Sequence, residues 1–181
     1  MSSQSLIKPA ARVLFVTAAI LMIPFLAMRS GVGGWNWTGF DFVFAAFLFG
    51  GTVTMFEVVM RKAHNAKYRV ASVLAILCVL GLIWVNGAVG IIGNEGNPAN
   101  LMFLGVIAVE IIGALLARFK TRGMSRTMFA SAAAAAVVIA IALATNQHQG
   151  DTHNALEIVG ATGMFIVLYV AAGILYRHSD R

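Results

Sequence analysis

Residues 70–92 read VASVLAILCVLGLIWVNGAVGII and contain no charged side chain. An α-helix rises about 1.5 Å per residue, so about 20 apolar residues are needed to cross the roughly 30 Å hydrocarbon layer of a bilayer. In lipid, backbone hydrogen bonds must be made within the segment, and the alternating pattern of a barrel strand is absent. This stretch is therefore predicted to be a membrane-spanning helix.

Five further apolar runs resemble this stretch. The six predicted helices cover residues 13–28, 42–60, 70–92, 99–119, 124–144 and 155–176. Hydrophobic residues make up 60% of the 181-residue chain and charged residues only 11%, which is more apolar surface than a soluble core of this size can bury. We therefore predict an all-α, polytopic membrane helix bundle with short loops, forming a single domain over residues 1–181.

The basic residues predict the orientation of the chain, because cytoplasmic loops of membrane proteins retain Lys and Arg. They precede the first predicted helix, lie between the second and third and between the fourth and fifth, and follow the sixth. In order they are Lys8, Arg12, Arg61, Lys62, Lys67, Arg69, Arg118, Lys120, Arg122, Arg126, Arg177 and Arg181. Only Arg29 falls on the opposite side. Both termini are predicted to be cytoplasmic.

The net charge of +6 does not indicate nucleic-acid binding. The cations are spread over membrane-flanking turns and lack interleaved aromatic residues. Aromatic residues instead mark the two predicted membrane boundaries, with Trp35, Trp37 and Phe40 on the outer side and Tyr68, Phe119 and Tyr176 on the inner side. The expected partner is the lipid bilayer, and no nucleic acid is expected.

The first predicted helix has a second interpretation. Lys8 and Arg12 before a short apolar run also fit a secretory signal peptide, whose removal would leave five helices. No small-x-small cleavage site follows the run cleanly, since Pro24 precedes the bulky Phe25 and Leu26. This favours a retained first helix.

Glu110 lies near the middle of the fourth predicted helix, and no Lys or Arg shares its depth. A charged residue such as Asp at a helix centre costs about 2.5–3.5 kcal/mol on insertion, which the apolar residues of this helix offset. The side chain is expected to avoid lipid and, as a neutral acid, to donate a hydrogen bond. Threonines at compatible depth are candidate partners: Thr52, Thr54, Thr17 and Thr162. Both a proton or cation relay and a structural hydrogen bond remain open.

Glu57 is a weaker signal than Glu110. It lies near the cytoplasmic end of the second predicted helix, and Arg61 follows one turn later. Residues four apart on a helix are neighbours, so an interfacial ion pair between these two side chains is predicted.

The segment WVNGAVGIIGNEGNPANLMF, residues 84–103, joins the third and fourth predicted helices on the outer side. Gly87, Gly90 and Gly93 recur at intervals of three, so this end of the third helix is expected either to pack closely against a neighbour or to unwind. Many transporters build their site from an unwound polar segment that faces a cavity. The candidate site residues are Glu110, Asn86, Thr52 and Thr54, with Asn94, Glu95, Asn97 and Asn100 in the outer segment.

Asn97, Pro98 and Ala99 spell the NPA triplet of water channels. Water channels use two such triplets on facing half-helices, whereas this chain has one. Asn97 as an N-cap with Pro98 at the first helical position predicts an ordinary helix start instead.

No set of residues typical of an enzyme active site is recognised in the sequence. The four histidines, His64, His148, His153 and His178, lie in predicted loops or termini, which leaves no pair within the membrane to hold a haem. His148, Asp151 and His153 form only a weak metal hypothesis in the last outer loop. No catalytic residue, cofactor or metal is therefore expected.

Three stretches carry a resemblance to known proteins: WNW at residues 35–37, the pair Asp41-Phe42, and the run at residues 84–103. Together they resemble an uncharacterised family of small multi-pass proteins of the bacterial inner membrane. The similarity extends from the first predicted helix to the turn at residues 117–124. It implies a bacterial inner-membrane location, and it implies no activity or site residue.

Three classes of function remain after these exclusions. Small-solute or ion transport using a buried acid fits Glu110 and the glycine-rich outer segment. A non-catalytic accessory or assembly subunit of a larger membrane complex fits the scarcity of residues outside the membrane, and its partners would be other membrane subunits or a second copy. A substrate-capture subunit like those of modular vitamin importers has this length and helix count, but the small-residue docking motif on its first helix is not convincingly present.

Overall fold

The computed structural model describes residues 4–31, 33–145 and 155–179. These residues form no strand, and their helices are α1 (Gln4–Arg29), α2 (Gly39–Lys62), α3 (Ala66–Ala88), α4 (Met102–Leu116), α5 (Thr121–Ala144) and α6 (Ala155–Arg177). A short 3₁₀ turn, Pro98–Leu101, leads into α4. With that turn included in α4, all six helices are long and apolar enough to cross a membrane. The predicted all-α bundle of six spans is confirmed.

The start of α2 is fixed by a cap that hydrophobicity alone does not reveal. Thr38 donates hydrogen bonds from its backbone N–H and its hydroxyl to Asp41 Oδ2, at 2.7 and 2.8 Å. The Trp37 ring also packs edge-on against Phe42, with ring centroids 5.4 Å apart. Reciprocal capping together with a hydrophobic contact across the helix start fixes where the chain enters a helix. As a result α2 begins at residue 39, before the predicted residue 42.

The bounds of α3 also differ from the predicted range of 70–92. The helix begins at Ala66 because Asn65 caps it, accepting a hydrogen bond from Tyr68 N–H at 2.8 Å. It ends at Ala88, and Gly90 and Gly93 beyond it have φ of +73° and +71°. The glycines therefore unwind the chain, and they do not form a bare face on the helix as the close-packing alternative required.

A tight turn joins α4 to α5. Helix α4 ends at residue 116 and α5 begins at residue 121, whereas the predicted helices end at 119 and begin at 124. Arg118 and Phe119 have left-handed φ values of +50° and +60°, which ends the helix before them. Lys120 is the N-cap of α5, which starts at residue 121.

The chain divides into two compact units between Arg61 and Lys62. In the first unit, Arg12 of α1 donates to Glu57 of α2 at 2.6 Å. The predicted pair of Glu57 with Arg61 is wrong, because a cation from the neighbouring helix takes that position. The prediction of a single membrane domain stays a prediction.

The second unit packs α3, α4, α5 and α6 through small residues and hydrogen bonds. Gly81 of α3 lies under Phe165 of α6, where an added Cβ would be 2.9 Å from the ring. Ser125 of α5 donates to the Gly173 carbonyl of α6 at 2.8 Å. Contacts of this kind are expected in a bilayer, where helices associate by close packing and polar contacts because lipid is itself apolar.

Replacing Gly113 with Ala tests the packing of α4 on α5. A Cβ at Gly113 would lie 2.6 Å from Thr127 Cγ2, so the helices must separate, and we expect a loss of about 1–3 kcal/mol in the free energy of unfolding. Gly105→Ala is the matched control, since nothing lies within 4 Å of a Cβ there. Thermal or denaturant unfolding in detergent measures both variants, and equal stability of the two would contradict this close approach.

Candidate functional site

Glu110 lies inside the second unit and is paired with a tyrosine. The carboxyl group is on α4, where Glu110 is 4% exposed, and Tyr169 of α6 is fully buried. The Tyr169 hydroxyl donates to Glu110 Oε2 at 2.8 Å. Cys78 of α3 is also buried. The acid therefore joins α4 to α6, and it accepts the hydrogen bond that it was predicted to donate.

The threonines that were predicted to partner Glu110 are occupied elsewhere or unpaired. Thr52 donates to the Leu48 carbonyl and Thr54 to the Gly50 carbonyl, each at 2.7 Å, within α2 of the first unit. The hydroxyls of Thr17 and Thr162 are buried without a hydrogen-bond partner among the described residues. The structure therefore replaces the predicted threonine partners with Tyr169.

Tyr169 is the site residue that sequence reasoning missed. It lies on α6 about two helical turns before Tyr176, which was assigned to the inner membrane boundary. Tyrosines of membrane proteins concentrate at the boundaries, where the hydroxyl reaches water. A tyrosine placed deeper needs a buried partner, and that rule is the signal that points to Glu110.

Asn100 is the residue that organises the outer segment. Its Oδ1 accepts hydrogen bonds from the backbone N–H groups of Ile91 and Ile92 at 3.0 and 2.8 Å. Its Nδ2 donates to the carbonyls of Ile92 and Asn94 at 3.1 and 2.7 Å. An amide has two donors and one acceptor oxygen with two lone pairs, so all of its capacity is used. Asn100 therefore holds the loop, and nothing is left on it to bind a ligand.

Two other asparagines of the outer segment also serve the backbone. Asn94 Oδ1 accepts from Gly96 N–H, and Asn97 Oδ1 accepts from Ala99 N–H, each at 2.9 Å. Asn97 is the N-cap of the 3₁₀ turn, with Pro98 at its first position. The interpretation of the NPA triplet as a helix start is confirmed.

A cleft of about 450 Å³, here called the outer cleft, opens between the end of α3 and the start of α4. It brings together predicted site residues, because Asn86, Glu95, Asn97 and Asn100 all contribute to its lining. Its apolar wall includes Ile107 of α4, but Glu110, three residues later, is not part of the lining. The cleft and the buried Glu110–Tyr169 pair are therefore two separate sites on one helix.

Asn86 is the polar group of the outer cleft that is left without a full set of partners. Its Nδ2 donates to the Leu82 carbonyl at 2.7 Å, and this fixes the amide orientation because a carbonyl can only accept. Its Oδ1 is buried without a partner among the described residues. A buried acceptor left without a donor costs about 1–3 kcal/mol. A ligand that donates a hydrogen bond or carries positive charge would remove that cost.

The metal hypothesis for the last outer loop cannot be placed on this structure, because His148, Asp151 and His153 lie outside the described residues.

The six apolar helices define the class of this chain, a multi-pass integral membrane protein. Comparison with known proteins adds nothing to this class: no family model matches, and no curated protein or solved structure shows significant similarity. The resemblance to the bacterial inner-membrane family stays a prediction.

Proposed function

We propose that this protein transports a small solute or ion, with the outer cleft as its binding site and Glu110 as its buried acid. The observation that carries the proposal is the outer cleft of about 450 Å³, whose lining includes Asn86, a residue with a buried and unpartnered Oδ1. Pockets of about 300–1,000 Å³ with a few placed polar groups are typical of small-molecule sites. The non-helical polar segment of residues 89–97, which joins α3 to α4, supports the same function, because many transporters build their sites from unwound backbone beside a helix start.

The chemistry of the cleft favours a ligand that is cationic or rich in hydrogen-bond donors. Glu95 is the charged residue in its lining, and the remaining polar residues are amides and backbone groups. The unpartnered atom of Asn86 is an acceptor, so a ligand group that pairs with it must be a donor. Small amines, alkali cations and polyols meet these requirements, whereas a small carboxylate would face Glu95.

Helix α4 connects the cleft with the buried acid. Ile107 lines the cleft, and Glu110 follows on the same rigid helix within one turn. A ligand that shifts α4 would also shift the Glu110 carboxyl relative to Tyr169 on α6, which is how a proton at Glu110 becomes linked to the occupancy of the cleft.

Binding to the detergent-purified protein tests this function. Small amines, sodium or potassium ions and polyols are compared with acetate and succinate by the shift in melting temperature. We expect one of the first three classes to stabilise the wild-type protein. We expect Asn86→Leu and Glu95→Gln each to lower the affinity for that solute at least about tenfold, which corresponds to about 1.4 kcal/mol, and so to reduce the shift in melting temperature.

Glu157→Gln is the matched control, because it removes the same charge from the first turn of α6, outside the outer cleft. This variant should bind the stabilising solute as the wild type does. Stabilisation by the carboxylates alone, or equal binding by Asn86→Leu and the wild type, would refute a donor-selective site in the cleft.

An accessory-subunit role is the second candidate, and the first unit favours it. In the most apolar 18-residue stretch of each helix, only 6% of α1 and 11% of α2 is buried, against 28–39% in the other four helices. The exposed apolar surface includes Phe15 and Phe47, at 74% and 79%. Crosslinking in native membranes separates the two functions, because an accessory subunit would be recovered in a fixed ratio with one partner protein.

A further inference from the structure

A second cleft of about 440 Å³, here called the basic cleft, lies on the side of the chain that is rich in cations. It lies between the last residue of α2, the turn before α3 and the turn between α4 and α5. Its lining includes Lys62, His64, Tyr68, Phe119, Lys120 and Arg122, and among the residues that the structure describes no acidic side chain lines it. Three cationic side chains and one imidazole thus surround a single concave site.

The wall of the basic cleft is held in place by contacts with the α4–α5 turn. Tyr68 is buried, and its hydroxyl donates to the Phe119 carbonyl at 2.7 Å. The Lys62 ammonium lies 4.4 Å from the centre of the Phe119 ring. A Cβ on Gly123 would lie 2.5 Å from Ala117 Cβ, so the two ends of this turn touch. The site is therefore preformed rather than assembled from free side chains.

The start of α5 adds further positive charge at the same place. Lys120 is the N-cap, it makes no side-chain cap hydrogen bond, and the first turn contains no acidic residue. A helix N-terminus carries roughly half a positive charge and is normally stabilised by an acidic side chain or a bound anion. Here the adjacent charged side chains are those of Lys120 and Arg122, so like charges accumulate where an anion is favoured.

We propose that the basic cleft binds a phosphate group at the membrane surface. Arg presents a planar fork to two phosphate oxygens, and Lys adds point charges. The cleft lies at the ends of membrane-spanning helices, at the level of lipid headgroups, and basic pockets between such helices bind anionic headgroups. A phospholipid headgroup and dissolved inorganic phosphate share this chemistry. The proposal does not depend on the transport function, because it rests on different residues.

Retention of lipid by the purified protein tests the proposal. Native mass spectrometry is used with phosphatidylglycerol, phosphatidylcholine and inorganic phosphate as probes, on the wild type and the double variant Lys120→Gln/Arg122→Gln. We expect phosphatidylglycerol to bind the wild type in preference to phosphatidylcholine. We expect the double variant to lose about tenfold or more of that affinity, since each cation near an anionic headgroup contributes about fivefold.

Arg69→Gln/Arg126→Gln is the matched control, because it removes two exposed cations that lie outside the cleft lining. A lipid source is supported when phosphatidylglycerol affinity falls only in the cleft variant and phosphate has no effect. A free-phosphate source is supported when inorganic phosphate binds the wild type and not the cleft variant. Equal losses in the two double variants, or no loss in the cleft variant, would overturn the proposal. The charge-conserving Lys120→Arg/Arg122→Lys variant should retain binding, which separates loss of charge from loss of fold.

Discussion

Gly90→Ala is expected to destabilise the second unit by at least about 3 kcal/mol, measured as the free energy of unfolding in detergent. Gly90 has φ of +73°, a conformation that costs an L side chain about 1–3 kcal/mol. An added Cβ would also overlap the Asn94 carbonyl and lie 2.7 Å from Asn100 Nδ2. Both neighbours belong to the hydrogen-bonded loop, so the four hydrogen bonds of the Asn100 amide would be strained at the same time.

Gly87→Ala is the matched control for this prediction. Gly87 lies three residues earlier in the last turn of α3, and nothing lies within 4 Å of a Cβ placed there. Because Ala is favoured over Gly inside a helix by about 1 kcal/mol, this variant should be as stable as the wild type or slightly more stable. If Gly90→Ala unfolded at the same denaturant concentration as Gly87→Ala, the outer segment would not have the compact conformation described above.

Hydrophobicity predicted the membrane-spanning helices because a helix that crosses a bilayer has one simple requirement, an apolar run of sufficient length. A run such as residues 70–92 has the length that a bilayer demands, and every α-helix of the described residues overlaps one predicted run. The ends of the helices were predicted less well, because caps and turns decide them. Asn65 extends α3 backwards over Lys67 and Arg69, which a count of apolar residues assigns to a loop.

The candidate sites were predicted only in part, because composition locates a polar segment but does not show which atoms its side chains contact. The polar segment of residues 84–103 was recognised from composition, and the structure gathers Asn86, Glu95 and Asn97 on one cleft. The roles of Asn94 and Asn100 were not recognised, because an amide that satisfies the backbone has the same sequence signature as one that binds a ligand. Tyr169 was missed because contacts between distant helices depend on helix rotation, which helices as uniformly apolar as α6 do not reveal.

Glu110→Gln is expected to abolish proton-driven uptake while preserving the fold. Gln retains the volume of the side chain and an oxygen that accepts from Tyr169, so stability should change by no more than about 1 kcal/mol. It cannot gain or lose a proton at neutral pH, and a relay needs that change. In proteoliposomes with an imposed pH gradient, uptake of the solute that stabilises the outer cleft should fall to the level of liposomes without protein.

Three measurements, one on Glu110→Gln and two on further variants, separate a relay from a structural hydrogen bond. The solute should still stabilise Glu110→Gln, because Glu110 is not part of the lining of the outer cleft. Glu57→Gln removes a carboxylate that is paired with Arg12 in the first unit, and it should leave uptake intact. Tyr169→Phe removes the donor from the buried carboxyl group and should lower stability by about 1–3 kcal/mol. Uptake by Glu110→Gln at the wild-type rate would show that the acid only joins α4 to α6, and the transport proposal would then need another titratable group.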